Sequence, residues 1–133
     1  MTIGSGVGRR GRHTIEKTFD FAASHELRNL PAGHKCARNH GHNYTVTVMW
    51  TADELDSAGM VTDFGDFAPL GRHLADTFDH RLLNDIVEQP TSECLAEYLG
   101  QWVIEHLEPT VRGRLVSLRV CETSASGAVW ERM

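Results

Sequence analysis

Between Thr14 and Phe21 the chain alternates residue by residue: Ile15, Lys17, Phe19 and Phe21 point one way, and Thr14, Glu16, Thr18 and Asp20 the other. A period of two marks a strand with one mostly apolar face, because successive side chains leave opposite sides of the pleat. The strand starts at His13 and ends near Ala22-Ala23-Ser24-His25. A loop follows from Glu26 to about Asn39, broken by Pro31 and Gly33. Tyr44 to Trp50, rich in Val, Thr and aromatic residues, predicts a second strand.

Beyond these strands the period changes. Asp53 to Gly59 reads as a polar turn, and Met60 to Thr62 as a short third strand. Phe67, Leu70, Leu74 and Phe78 recur at helical spacing, and Pro69 fits only a first turn, so this helix begins near Asp66. Thr91 or Ser92 caps a second helix, with Glu93 near its positive end and Leu95, Leu99, Trp102, Val103 and Leu107 on its buried face. Pro109 and Gly113 close it, Leu115 to Cys121 is a strand, Ser124 to Gly127 a turn, and Ala128 to Trp130 a short final strand. This order predicts an α+β fold with helices covering one face of an antiparallel sheet.

A chain of 133 residues fits one domain, here residues 13–133. Residues 1–12 contain Gly4, Gly6, Gly8 and Gly11 without periodicity and read as a disordered leader. Arg9, Arg10 and Arg12 raise the alternative of a nucleic-acid arm, but the cluster is short and has no interleaved aromatics. Thirteen basic against eighteen acidic residues, a net charge of -5, offer no general attraction to nucleic acid, while a local basic patch could still hold a small phosphorylated substrate. Cys36, Cys94 and Cys121 do not make a disulfide framework, so a reducing compartment, the cytoplasm, is the simpler expectation. No stretch approaches the ~18 apolar residues of a membrane span, and no signal peptide is visible.

The segment HKCARNHGHNY, from His34 to Tyr44, carries the most chemistry. His40 and His42, two apart at the mouth of a strand, can share one face, and Gly41 between them permits close backbone approach. Two imidazoles on one face are half a zinc site. If the first two strands pair as a hairpin, His25 meets the start of the second and supplies a third nitrogen, leaving one zinc position open for catalysis. The bland alternative is that these histidines bond locally or lie at the surface. Cys36 is open to three readings: a fourth ligand closing a structural site, a catalytic thiolate, or an inert buried thiol. Asp79 and His80 are a second candidate pair, since a carboxylate fixes a histidine tautomer, although a histidine at a helix C-terminus needs no such role. Glu122, at a strand end, is either a solvated edge residue or a carboxylate that accepts paired N–H groups from a guanidine-like ring edge. No G-x-G-x-x-G fingerprint follows a strand, which is compatible with a reaction that needs no nicotinamide or flavin.

FDFAASHEL, GHKCARNHGHNYTV, the run Gly59-Met60-Val61-Thr62-Asp63-Phe64, FDHRLLND, PTSE and VCET occur in this order from about Thr14 to Trp130. Together they resemble the family of 6-pyruvoyl-tetrahydropterin and 6-carboxy-tetrahydropterin synthases. The resemblance implies the tunnelling fold, a four-stranded antiparallel sheet with two helices on one side, closed into trimers that commonly stack as hexamers with sites between subunits. It implies Zn2+ on His25, His40 and His42, and Cys36 as catalytic thiol assisted by Asp79 and His80. It also implies Glu122, with Thr91, Ser92 and Glu93, on the pterin ring. Asp63-Phe64 and the compact loop around Cys36 look like the carboxy-forming branch of the queuosine pathway. That branch converts 7,8-dihydroneopterin triphosphate to 6-carboxy-5,6,7,8-tetrahydropterin, acetaldehyde and triphosphate. The ending ETSASGAVW departs from that branch, whose members often carry cysteines and a tyrosine there. Triphosphate elimination to a 6-pyruvoyl product is the alternative reaction, and a zinc-stabilised binding or assembly module without chemistry is the alternative of another class.

Overall fold

The computed structural model describes residues 10–133. Strand β1 spans Thr14–His25 and β2 spans His40–Thr51; they pair antiparallel from Thr14 opposite Thr51 to His25 opposite His40. After the helices come β3, Arg114–Thr123, and β4, Ser126–Glu131, in a sheet ordered β1-β2-β3-β4 with every neighbour antiparallel. One face is apolar: Phe21 and Ala23 from β1, Tyr44, Val46, Val48 and Trp50 from β2, and Leu118 and Val120 from β3 are buried. The other is polar, where the Thr18 and Thr47 hydroxyls meet at 3.1 Å and Thr45 donates to Asp20 at 3.1 Å. This split follows directly from the period-two alternation of β1.

Both main helices cover the apolar face. Helix α1, Ala68–His73, carries Pro69 in its first turn, and α2, Ser92–His106, is capped by the Thr91 hydroxyl, which accepts the Cys94 N–H at 3.1 Å. Leu70, Leu74 and Phe78 from the first helical run, and Leu95, Leu99, Val103 and Leu107 from the second, complete the core. Each such leucine contributes about 1.5–3 kcal/mol on transfer from water, an upper bound because the unfolded chain already buries some surface. Two glycines set how closely the layers approach. A Cβ on Gly71 would stand 2.8 Å from the Phe19 ring, and one on Gly100 would stand 2.3 Å from the Trp130 ring.

The structure departs from expectation in four places. Met60 to Thr62 is not a strand. The Asp56 carboxylate accepts the Ala58 and Met60 amides at 2.9 Å each, and Arg112 donates to the Val61 carbonyl at 2.7 Å, so this backbone bonds locally instead of joining the sheet. The first helical run is not one α-helix: a 3-10 turn at Phe64–Phe67, capped by Asp63, precedes α1, and a wider π turn at Leu74–Phe78 follows it. Strand β2 begins at His40, earlier than Tyr44, so both histidines of the H-x-H pair lie within the ladder. Strand β4 is longer than Ala128–Trp130. Residues 1–9 of the expected leader lie outside the described residues; Arg10, Gly11 and Arg12 are exposed. Among the described residues no helix is long and apolar enough to cross a membrane.

Candidate active site

Antiparallel pairing puts His25 directly across from His40 and Ala23 across from His42. Side chains opposite each other in such a ladder share a face, and residues two apart in one strand do too, so all three imidazoles converge. Their ring centres lie 4.5 Å (His25–His40), 5.1 Å (His25–His42) and 4.9 Å (His40–His42) apart. One nitrogen from each lies within 4.8 Å of the others.

Hydrogen bonds to backbone carbonyls fix the Nδ1 hydrogen of His25 and His40. His25 Nδ1 is 2.6 Å from the Pro90 carbonyl, and His40 Nδ1 is 2.6 Å from the Arg38 carbonyl. A carbonyl only accepts, so both Nδ1 atoms carry hydrogen, and in the neutral rings both Nε2 atoms present lone pairs. Those two Nε2 atoms face each other at 3.0 Å. Two lone pairs at that distance repel, and a shared cation turns the repulsion into ligation. His42 Nε2 is buried without a hydrogen-bond partner among the described residues. Burial holds this imidazole below its ordinary range; Glu122 pulls it up, while His25 and His40 push it further down. A metal ligand must be a neutral imidazole, so this bias favours binding. The three residues therefore fit a metal ion with three nitrogen donors.

Glu122 reaches this centre from β3. Its Oε1 lies 3.9 Å from His25 Nε2 and its Oε2 3.7 Å from His42 Nε2. It also lines a cleft of about 410 Å³ with Thr91, Ser92 and Glu93 at the start of α2, facing Leu27 and Ser126 to Ala128. The four residues of the expected ring pocket thus share one cavity, and Glu122 connects it to the histidines.

Cys36 stands apart. It lies on a 3-10 turn, Lys35–Ala37, capped by His34: Cys36 N–H donates to His34 Nδ1 at 3.0 Å. Its side chain is partly exposed and lies outside the three-nitrogen group. Asp79 and His80 do touch, although adjacent residues need not. Asp79 Oδ2 is 2.9 Å from His80 Nδ1, which leaves Nε2 of a largely exposed ring without a partner among the described residues. His80 has φ of 58°, a left-handed backbone that costs a non-glycine residue roughly 1–3 kcal/mol. Its N–H donates to the Ala22 carbonyl at 2.6 Å, while Asp79 Oδ1 accepts the Ala22 N–H at 3.0 Å. That N–H, and then the His80 ring, hold the Asp79 carboxyl below its ordinary range. His80 and Arg81 border a second cleft of about 510 Å³ with Ala22, Ser24, Gly41 and His42. Cys36 lines neither cleft.

Two neighbours of the centre escaped sequence reasoning. Pro90 acts through its carbonyl, which no side-chain pattern reveals. Tyr44 is fully buried, packs edge-on to His25 and His42 at 5.9 and 5.4 Å, and has a hydroxyl without a partner among the described residues. Burial, with Glu122 adding to it, pushes this phenol above its ordinary range. Its position two residues beyond His42 on the same face was the available signal.

A four-stranded antiparallel sheet with two helices on one face and three convergent imidazoles defines the tunnelling-fold class. The chain belongs to the 6-pyruvoyl tetrahydropterin synthase family, whose sequence model matches residues 14–132. It is 31% identical over 126 residues to the 6-carboxy-5,6,7,8-tetrahydropterin synthase of Bacillus subtilis, covering 87% of this chain and 83% of that one. It is 40% identical over 73 residues, 55% of this chain, to a putative 6-carboxy-5,6,7,8-tetrahydropterin synthase of Archaeoglobus fulgidus. The matched stretches span 60% of that Archaeoglobus relative and 33% of a Helicobacter pylori 6-carboxy-5,6,7,8-tetrahydropterin synthase. The structure of Caenorhabditis elegans 6-pyruvoyl tetrahydropterin synthase superposes with a TM-score of 0.77 at 27% identity, covering 94% of this chain and 99% of that one.

Proposed function

We propose that this protein is a cytoplasmic zinc enzyme of 7-deazapurine biosynthesis of the queuosine type. Its reaction converts 7,8-dihydroneopterin triphosphate to 6-carboxy-5,6,7,8-tetrahydropterin, acetaldehyde and triphosphate, with residues 13–133 acting as one domain. The observation that carries this reading is the pair of Nε2 atoms held 3.0 Å apart beside a third imidazole nitrogen that is buried and has no hydrogen-bond partner among the described residues. The names of the Bacillus and Archaeoglobus relatives support the carboxy-forming branch.

Each residue then has a task at a stated atom. His25, His40 and His42 would hold zinc, which would supply Lewis acidity to side-chain oxygens of the substrate and favour loss of the neighbouring C–H proton. Glu122 accepts paired N–H groups from the 2-amino and ring-nitrogen edge of the pterin, a bidentate geometry that orients the ring. Thr91, Ser92 and Glu93 border the same ring. Cys36 takes or returns a side-chain proton, and His80 Nε2, its tautomer fixed by Asp79, assists. Sites shared between subunits would bring a neighbour's Asp79 and His80 to Cys36. The edge positions of β4 and of the part of β1 ahead of Ala22 support such assembly, since an open edge is satisfied by another strand. Light scattering should give a multiple of three chains, most simply six; a stable monomer would contradict shared sites.

The likeness to the Caenorhabditis enzyme favours one second reading, triphosphate elimination to a 6-pyruvoyl product, and the ending Ser124 to Trp130 departs from the carboxy-forming branch. Anaerobic incubation of the zinc-loaded protein with 7,8-dihydroneopterin triphosphate, with products identified by mass, separates the two. Acetaldehyde with a 6-carboxy-tetrahydropterin is the expected result. A pyruvoyl product without acetaldehyde would replace the proposed reaction with the second.

A further inference from the structure

The outer edge of β1 continues past the end of the strand. Ala22 is bonded there by Asp79 and His80, and the Ser24 N–H donates to the Arg81 carbonyl at 3.0 Å. Two residues on, Glu26 is bonded by a side chain: its N–H donates to Asn84 Oδ1 at 3.0 Å, and Asn84 Nδ2 donates to its carbonyl at 2.8 Å. Two further on, Arg28 meets Gln89 in the same way, N–H to Oε1 at 2.9 Å and Nε2 to carbonyl at 2.8 Å. The sequence 22, 24, 26, 28 keeps the two-residue repeat of a ladder, with side-chain amides in place of a strand. Asn29, with φ of 62°, then turns the chain away.

On the opposite side of this run the Leu27 N–H donates to the Cys36 carbonyl at 2.9 Å. Residues 26–28 therefore lie between the two amides and the turn that carries the thiol. A carboxamide suits the task because it offers an acceptor and a donor in one plane, as a peptide unit does; a carboxylate lacks the donor. The same connection that holds Gln89 leads to Pro90, whose carbonyl orients His25.

We propose that Asn84 and Gln89 are positioning residues whose side-chain amides extend β1 through Arg28 and thereby hold the Cys36 turn in place relative to the three histidines. Its bearing on catalysis rests on the reading of Cys36 as the proton-moving thiol. Displacements of about 1 Å from productive geometry can cost about 100-fold in rate, so small slack in this clamp would be felt in turnover.

The test compares wild type with Asn84→Ala, Gln89→Ala and Asn84→Asp, the last keeping shape and acceptor while losing the donor. Iodoacetamide should alkylate Cys36 about tenfold faster in the alanine variants, with metal content per chain unchanged. Turnover should fall about 10- to 100-fold at nearly constant KM, and Asn84→Asp should lie between. Wild-type alkylation rates and wild-type kcat in both folded alanine variants would overturn the clamp. Should the variants not fold, hydrogen exchange on the wild type decides. The Glu26 and Arg28 amides should be protected relative to Gly33, and equal exchange would overturn the proposal. Alkylation and exchange need no substrate, so an inactive wild type would sink the catalytic reading without touching the clamp.

Discussion

Replacing His42 with alanine is expected to strip the metal and stop turnover while leaving the fold intact. His42 is the cleanest of the three positions: its side chain is 18% exposed, whereas that of His25 is 0% exposed and tied to Pro90. Losing a ligand should weaken metal binding beyond the roughly 10- to 100-fold typical of losing a partner outside the ligand shell. Turnover should fall by about 100- to 1,000-fold or more, the scale of removing one group that stabilises developing charge. Metal content per chain and the rate of pterin consumption are the two readouts, with circular dichroism as the fold control. Retained metal with an unchanged rate would remove His42 from the site. His25→Ala should lose metal as well, but with an added stability cost from emptying a fully buried position.

Cys36→Ala should behave differently. With Cys36 outside the three-nitrogen group, the variant is expected to keep its metal and its fold and to lose about 100- to 10,000-fold in turnover, the range for a positioned proton-transfer group. The three readings of this cysteine then part cleanly. Loss of metal together with activity would make it a fourth ligand. An unchanged rate would make it an inert thiol, and would favour a binding or assembly module if the wild type were also inactive. Cobalt substitution adds a spectroscopic check, since an all-histidine site gives no sulfur charge-transfer band.

The sequence revealed most where local pattern and tertiary demand agree. Ile15 to Phe21 alternate because one face is covered, and Thr91 caps α2 through its own hydroxyl. The meeting of His25 with His40 was readable because a hairpin brings one strand's end to the next strand's beginning. Other features lie in non-local bonds. Met60 to Thr62 has strand-like composition, yet Asp56 and Arg112 hold its backbone. His40-Gly41-His42-Asn43 is poor in strand formers, and its place in β2 is decided by pairing with Ala22 to His25. The contact between Asp79 and His80 depends on a positive φ that no histidine announces. The approach of Glu122 to both His25 and His42 requires β3 to lie beside β2, although the two are separated in sequence by both helices. Asn84 and Gln89 look like ordinary polar loop residues until their amides are seen bonding another segment's backbone.

Pterin chemistry in this protein is proposed to depend on a metal held by His25, His40 and His42. This dependence is tested most directly by removing the metal and returning it. Protein treated with a chelator and freed of it should not consume 7,8-dihydroneopterin triphosphate under anaerobic conditions. Titration with zinc should restore consumption in proportion to metal added, with a break at about one zinc per chain, the stoichiometry of one three-histidine site. Full consumption by the metal-free protein, or no consumption at any zinc level by folded protein, would contradict it.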